Sequence, residues 1–128
     1  MFVRNPDQVA SKAMDVPGAS GVSMRLMVGR DDGAPNFSMR QFYVDPGGHT
    51  PLHEHNYEHE VLILAGRGRL MHSTDDADAD PIEAGDVVFI AANELHQFRN
   101  DGDESLAFMC LVPTSFDCSG QTQSTPGS

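Results

Sequence analysis

Six short apolar runs, each bounded by turn-forming residues, constrain the fold of this chain more than any other feature of its sequence. Most of the 12 Gly and 8 Pro lie between these runs, where the backbone of a tight turn favours such residues. Closely spaced short strands favour a sandwich or barrel over a parallel sheet covered by helices. We therefore predict an all-β fold with antiparallel strands. The predicted strands are Val22–Val28, Phe37–Val44, His59–Ala65, Gly68–Ser73, Asp86–Ala91 and Leu106–Val112.

Length and charge exclude several classes of protein. The 128 residues match one domain, because domains commonly hold about 100–150 residues. Eight Lys and Arg against 19 Asp and Glu give a net charge of −11, which repels phosphate backbones and anionic lipid. Because of this charge we expect neither nucleic acid nor a membrane surface as a partner. In addition, no apolar run reaches the roughly 18 residues of a membrane span. The first residues also lack the apolar core of a secretory signal.

The two cysteines, Cys110 and Cys118, are too few for a disulfide framework. Two reduced thiols are typical of a cytoplasmic protein, and we predict that location.

The chain is predicted to divide into three parts. Residues 1–20 form an N-terminal arm, in which Val9–Met14 is compatible with one helical turn. Residues 21–113 form the β domain. Residues 114–128 form a polar, flexible tail, because they are rich in Ser, Thr, Gln and Gly.

An acidic run over residues 75–80 is similar to the start of a calcium-binding loop. However, Pro81 stands where such a loop needs its glycine, and Val87 stands where it needs its last glutamate. A solvated hairpin tip is therefore the better interpretation.

A cluster of histidines indicates the chemistry of the chain. His53 and His55 are two residues apart, so on a strand they leave the same face of the sheet, and His59 has the same parity. In a straight strand His53 and His59 would lie about 20 Å apart, at roughly 3.3 Å per residue. They can share one ion only if the chain turns between them, and residues 56–58 contain a plausible turn residue.

A fourth ligand is expected from a distant part of the chain. His96 follows the strand Asp86–Ala91 after a short polar break. Neutral imidazole binds Mn, Fe, Co, Ni, Cu and Zn, so the ligand type alone does not select the metal. We interpret His49 and His72 as ordinary surface or core residues. The predicted ligands are His53, His55, His59 and His96.

These residues also resemble the two-part motif of the cupin family. The first half fits as Gly47-x5-His53-x-His55-x3-His59-x6-Gly66, with His59 in the position of the family's glutamate. The second half fits as Gly85-x5-Ala91-x-Asn93-x2-His96-x3-Asn100, with Ala91 and Asn93 replacing Pro and Gly. Residues 34–40 and 108–113 are similar to those of small single-domain cupins whose metal is held by four histidines. The resemblance implies a single-domain antiparallel jelly-roll barrel over residues 21–113, a metal at its mouth and usually a homodimer.

The neighbouring Glu60 could supply the family's carboxylate if the longer motif spacing applied. Strand parity favours His59, because His59 would share a face with Val61 and Ile63 while Glu60 would point the other way. Glu58 lies in the predicted turn and is expected to point outward.

The same alternation predicts the pocket. Phe108 and Cys110 belong to the more apolar face of the last strand and are expected near the metal. Arg40 has the parity of Phe42 and Val44; facing inward it would bind an anionic or carbonyl-bearing ligand, and facing outward it would be a surface arginine. The predicted pocket residues are Arg40, Phe42, Phe108 and Cys110. No residue outside the metal ligands is a convincing general base, so the catalytic residues stay unassigned.

Both faces of the strand His59–Ala65 are apolar, although a barrel strand needs only one apolar face. Leu62 and Leu64 must therefore be covered by another segment or by a second subunit, and a homodimer is the natural interpretation.

We predict an enzyme in which Mn or Fe, with Zn, Ni, Co or Cu as alternatives, supports oxidoreductase or dioxygenase chemistry on a small organic molecule. Isomerase or lyase chemistry is the second enzymatic hypothesis. The hypothesis from another class is a non-catalytic cupin that binds or senses a small ligand.

Overall fold

A computed structural model describes residues 1–116 and confirms the all-β prediction. Within these residues there is no α-helix, and four short 3-10 turns lie outside the strands. The strands are β1 (Lys12–Ala13), β2 (Ser20–Val28), β3 (Phe37–His49), β4 (His59–Ala65), β5 (Arg67–Met71), β6 (Ala79–Glu83), β7 (Val87–Ile90), β8 (Gln97–Arg99) and β9 (Leu106–Pro113). The predicted division at residues 20 and 113 stays a prediction, and Cys118 and the end of the tail lie outside the described residues.

The predicted helical turn over Val9–Met14 is wrong. Lys12 and Ala13 instead form β1, paired with Met24 and Ser23 of β2. One isolated turn of helix is unstable in water, whereas the edge of β2 offers main-chain hydrogen bonds at once. The acidic run forms a 3-10 turn at Asp76–Asp78 between β5 and β6, as expected for a hairpin tip.

All strand pairs are antiparallel, and β3 organises the sheet. The strand order is β6-β5-β8-β3-β9-β4-β7, and β2 also pairs with β3. The first part of β3 lies between β2 and β9, while its last residue, His49, is opposite Arg99 of β8. The 13-residue β3 therefore connects the two halves of the sheet, which curls into a half-barrel.

The sheet encloses one apolar core. Buried residues of one half, such as Leu70 and Ile82, belong to the same cluster as Phe42, Ile63 and Phe108 of the other half. Because the inward residues of both halves are in contact, the interior of the curled sheet is filled with side chains.

The turn between β4 and β5 requires glycine. Gly66 has φ +79°, and a Cβ at this position would collide with the carbonyl oxygen of Ser105. A side chain would therefore push β4 and β5 away from the strand that follows residue 105.

Among residues 1–116, no helix has the length and apolarity that a membrane crossing requires.

Candidate metal centre

The segment between β3 and β4 carries two of the predicted ligands. His53 and His96 exchange backbone hydrogen bonds of 3.1 and 2.9 Å, which join this segment to the residue just before β8. A bend at Asn56 and Tyr57 then leads into β4, so the turn predicted between the histidines is present.

The loop before β8 has a specific backbone conformation that places His96. Asn93 adopts the left-handed conformation with φ 67°, which asparagine tolerates better than most residues. Its N–H donates to the carbonyl oxygen of His55 at 2.5 Å. The Glu94 carboxylate accepts from the Ala91 N–H at 2.8 Å and closes the loop. The loop is thereby joined by main-chain hydrogen bonds to His55, through Asn93, and to His53, through His96.

Three of the four predicted ligands converge closely. One ring nitrogen from each of His53, His55 and His96 lies within 4.8 Å of the others. Two ligands bound at about 2.1 Å to one metal lie at most about 4.2 Å apart, so a small adjustment would bring these nitrogens onto one ion. The His59 ring lies beside this group, with its centroid 4.9 Å from His55 and 5.3 Å from His96.

Hydrogen bonds to one ring nitrogen determine which nitrogen a histidine can present to a metal. The Nδ1 of His96 donates to the carbonyl oxygen of Glu94 at 2.8 Å, so Nε2 is the nitrogen that carries a lone pair. The Nδ1 of His59 lies 3.3 Å from Cys110 Sγ, and its Nε2 is buried with no hydrogen-bond partner among residues 1–116. Both ring nitrogens of His55 are likewise buried and unpartnered in this part of the chain. Such nitrogens need a partner, and the site fits a transition metal.

Burial keeps two of these histidines neutral. It lowers the pKa of His55 to about 3, with smaller contributions from the charges of His53, His96 and Arg40. Burial also lowers the pKa of His59 to about 2, assisted first by Arg40. Neutral imidazole is the form that binds metals, so no proton has to be removed at neutral pH before binding.

Arg40 lies inward, fully buried behind the histidines. Its Nη2 donates to Cys110 Sγ at 3.4 Å, and its Cζ lies 5.0 Å from the centre of the Phe42 ring. Burial raises the pKa of the Cys110 thiol, while Arg40 acts in the opposite direction. Arg40, Cys110 and His59 therefore form a chain of contacts that leads to the histidine cluster.

A family comparison agrees with this geometry. Residues 40–112, more than half of the chain, match the model of the cupin domain family Cupin_2. The chain is a cupin. This match covers the histidine cluster and the strands β4 to β8 that surround it.

Two characterised relatives differ in what their names say they do. The cupin is 40% identical over 79 residues to 1-methylthio-D-xylulose 5-phosphate methylsulfurylase of Rhodospirillum rubrum, a match covering 62% of this chain and 49% of that protein. It is 31% identical to an oxalate-binding protein of Thermotoga maritima, with 88% and 93% of the two chains covered. The cupin thus spans about half of the first relative and nearly all of the second.

A solved structure supports the fold over most of the chain. The polyketide cyclase RemF from Streptomyces resistomycificus superposes with a TM-score of 0.82 at 29% identity, covering 89% of this cupin and 80% of that chain.

The two phenylalanines predicted for the pocket lie in the apolar core behind the histidines. The rings of Phe42 and Phe108 stack with centroids 5.3 Å apart, and Phe98 stacks on Phe108 at 4.4 Å. All three side chains are fully buried.

Tyr57 is the feature of this site that the sequence reasoning missed. Its ring stacks on His55 at 4.6 Å and on His59 at 5.2 Å, and Phe116 stacks on its other side at 4.0 Å. The sequence does contain a signal for this contact, because Tyr57 is an aromatic residue two positions from each of the predicted ligands His55 and His59. Tyr57 therefore lies between the two histidines and Phe116 and covers the histidine rings on that side.

The outer face of β4 differs from the site. Glu58 and Glu60 are exposed, as predicted, and Leu62 and Leu64 are 43% and 40% exposed. A groove of about 410 Å³ lies nearby, lined among others by both glutamates and Leu111, but none of the four predicted ligands lines it. The groove belongs to the outside of the sheet and is separate from the histidine cluster.

Proposed function

We propose that this cupin holds one divalent transition metal, Mn or Fe, through His53, His55, His59 and His96, and catalyses oxidative chemistry on a small organic molecule. The observation that carries the proposal is the convergence of imidazoles from two separate parts of the chain, with buried unpartnered nitrogens on His55 and His59 among residues 1–116. Bound there, such a metal would activate oxygen or polarise an oxygen-bearing substrate.

The protein's own residues have defined roles in this proposal. The carbonyl of Glu94 and the thiol of Cys110 orient the His96 and His59 rings so that each presents Nε2. Tyr57 excludes water from one side of the rings. His55, His59 and His96 are buried, and the effective dielectric constant of a protein interior is lower than that of water, so the site would interact more strongly with a polar substrate.

Metal content tests the four-histidine assignment. His59→Ala should weaken metal affinity by at least roughly the 10–100-fold that loss of a supporting contact to a ligand costs. Glu60→Ala is the matched control, since its side chain is exposed on the opposite face of the same strand. Metal per chain is measured by plasma mass spectrometry after dialysis. The reverse order of effects would show that Glu60 is the ligand.

Oxygen consumption by the metal-loaded protein tests the oxidative reaction. Uptake that depends on both substrate and metal, over a panel of small organic acids and carbonyl compounds, is the expected result. A metal-loaded protein that binds a compound from this panel without turnover would favour a second function, a small-ligand-binding cupin. The similarity to the oxalate-binding protein over nearly its whole length favours that alternative.

The proposal includes a homodimer in the cytoplasm. Exposed apolar residues on β4 and β7 form one outer patch, since Leu62 is opposite Val87 in the sheet and Glu60 is opposite Phe89. We propose that a second copy of the chain covers this patch, because exposed apolar patches mark interfaces and cupins usually form homodimers. The free, buried thiol of Cys110 is in keeping with a reducing compartment.

A further inference from the structure

A buried arginine has no charged partner within residues 1–116, in the interior of the barrel. Arg40 is fully buried, and its Nε and Nη1 have no hydrogen-bond partner in this part of the chain. Its Nη2 contacts a thiol, Cys110 Sγ at 3.4 Å, which is a weak acceptor. A guanidinium is always charged, and a buried charge without a partner is costly.

The groups around Arg40 do not compensate this charge. His55 and His59 contribute no negative charge, because an imidazole is either neutral or positively charged. The two nearest acidic residues along the chain to His59, Glu58 and Glu60, are exposed outside the barrel. A bound metal would add further positive charge to this interior.

The strand register places Arg40 beside the proposed metal. Arg40 lies opposite Cys110 in the β3–β9 pair, and Cys110 lies opposite Val61 of β4, two residues after His59. The Cys110 sulfur is 3.4 Å from the Arg40 Nη2 and 3.3 Å from the His59 Nδ1. One side chain therefore separates the guanidinium from a ligand ring.

We propose that Arg40 binds an anionic oxygen group of the substrate or ligand, so that the small molecule accepted beside the metal is an organic carboxylate. This inference rests on the proposed metal site and adds the substrate class to it. The unpartnered N–H groups of Arg40 donate to the carboxylate, while another oxygen of the same molecule reaches the metal. Arg40 lies in the close-packed interior, where a small planar carboxylate would displace fewer core side chains than a larger tetrahedral phosphate ester.

Three probes of nearly the same shape test the inference: oxalate with two negative charges, oxamate with one, and neutral oxamide. Their affinities are measured by titration calorimetry on the Mn(II)-loaded protein, with the metal content of each sample determined in parallel. Arg40→Met should weaken oxalate and oxamate by roughly 10–100-fold, the range for hydrogen bonds to charged groups, and leave oxamide unchanged. Arg25→Met is the control of equal charge change, since Arg25 lies over Tyr43 and near Asp7, and it should leave all three affinities within about twofold.

The outcomes separate this inference from the proposed function. If Arg40→Met retains Mn(II) and binds oxalate as tightly as the wild type, or if the wild type binds no anionic probe, Arg40 is not the anion-binding residue while the metal site stands. A wild type that retains neither Mn(II) nor Fe(II) overturns the metal site and the ligand class together. If Arg40→Met does not fold, Arg40→Lys decides, because it keeps the charge but loses the planar donor group. The Arg40→Lys variant should bind oxalate more weakly than the wild type, and equal affinity would overturn the inference.

Thermal unfolding adds a readout that a purely structural role would move in the other direction. Met has no charge to desolvate, so Arg40→Met in the metal-free, anion-free protein should unfold at the same temperature as the wild type or higher. A lower unfolding temperature would show that Arg40 stabilises the core instead, and would overturn the inference.

Discussion

The two faces of β4 have the same backbone and opposite surroundings. His59, Val61 and Ile63 are buried against the barrel interior, and the alternate residues Leu62 and Leu64 are exposed on the outside. The inner face has all its neighbours within the chain. The outer face carries Leu62 and Leu64 beside Glu60, and within residues 1–116 these leucines are only partly covered. A single strand therefore contributes both a candidate ligand and a candidate contact surface, and the two-residue alternation of side chains decides which residue serves which.

β9 shows the same difference one strand away. Phe108 and Cys110 are fully buried beside the site, while Met109 and Leu111 are only partly covered. Since Leu62 is opposite Met109 and Glu60 is opposite Leu111, the outer patch crosses from β4 to β9. The contrast thus belongs to the two faces of the sheet and is not peculiar to one strand.

The largest expected effect comes from placing a charge on each face in turn. Val61→Asp buries a carboxylate in the core without a partner and should cost more than about 5 kcal/mol, enough to unfold most domains of this size. Leu62→Asp places the same charge one residue further along, on the exposed face. Apart from any loss of dimer association, it should change the unfolding free energy by less than about 1 kcal/mol per chain. Urea unfolding followed by circular dichroism measures both.

Leu62→Asp also tests what covers the outer face. In the proposed dimer the new carboxylates would lie in an apolar interface, and light scattering should show a folded monomer. Equal destabilisation by both substitutions would remove the distinction between the faces. A wild-type monomer would mean that no second copy covers the patch.

The sequence predicted the alternation well because it depends only on local geometry. The parity of His59 against Glu60 and the six main strands needed no knowledge of distant contacts. β6 and β8 were missed for physical reasons. β6 contains Pro81, which is tolerated because β6 is at the edge of the sheet, and β8 has only three residues. Neither segment has a strand pattern of its own, so both depend on pairing with β5.

The candidate site was predictable in part for the same reason. The spacing of the histidines and the shared parity of Arg40, Phe42 and Val44 could be inferred from the chain, whereas the inward orientation of Arg40 stayed open. The contact between Arg40 and Cys110 depends on the β3–β9 register, which joins residues 70 positions apart. The stack of Tyr57 on two histidines depends on the bend at residues 56 and 57. Register and loop conformation are tertiary properties, and one sequence does not encode them as a local pattern.

The second prediction uses acid to separate the faces. The pKa values of His55 and His59, about 3 and about 2 in the folded protein, lie below the usual value near 6.5. The unfolded chain therefore binds protons that the metal-free folded protein excludes, and stability present above about pH 6.5 is lost as the pH falls. Between pH 6.5 and 4.5 the two histidines together should lower the unfolding free energy by at most about 5 kcal/mol, at 1.36 kcal/mol per unit and group.

Urea titrations of the metal-free protein at each pH measure this loss, and His59→Leu should reduce it by about half. Comparison with the wild type at each pH cancels the contribution of the surface carboxylates. Constant stability across this range would show that the buried face does not exclude protons. Bound metal should be released where the falling pH unfolds the chain, because the imidazoles of the unfolded chain take up protons near pH 6.5.

The smallest expected effect concerns the end of the inner face, where the rings of Tyr57 and Phe116, and not a strand, cover the histidines. Tyr57→Ala removes a ring stacked on His55, His59 and Phe116 and should cost about 3 kcal/mol, at the lower end for a large aromatic residue. Tyr57→Phe keeps the stacking surface and serves as the matched control. Phe116→Ala should cost only about 1 kcal/mol, because Phe116 contributes one side of the stack at the end of the described chain.

Metal release to a chelator distinguishes a cover from a simple packing residue. If the stack excludes water from the ligands, Tyr57→Ala should release metal faster than Tyr57→Phe at equal folded fraction, with Phe116→Ala in between. Equal release rates in all three variants would show that Tyr57 contributes to packing alone. In that case the barrel strands alone would keep water from the ligands on the inner face of β4. The outer face would then differ from the inner face only because no further segment packs on it.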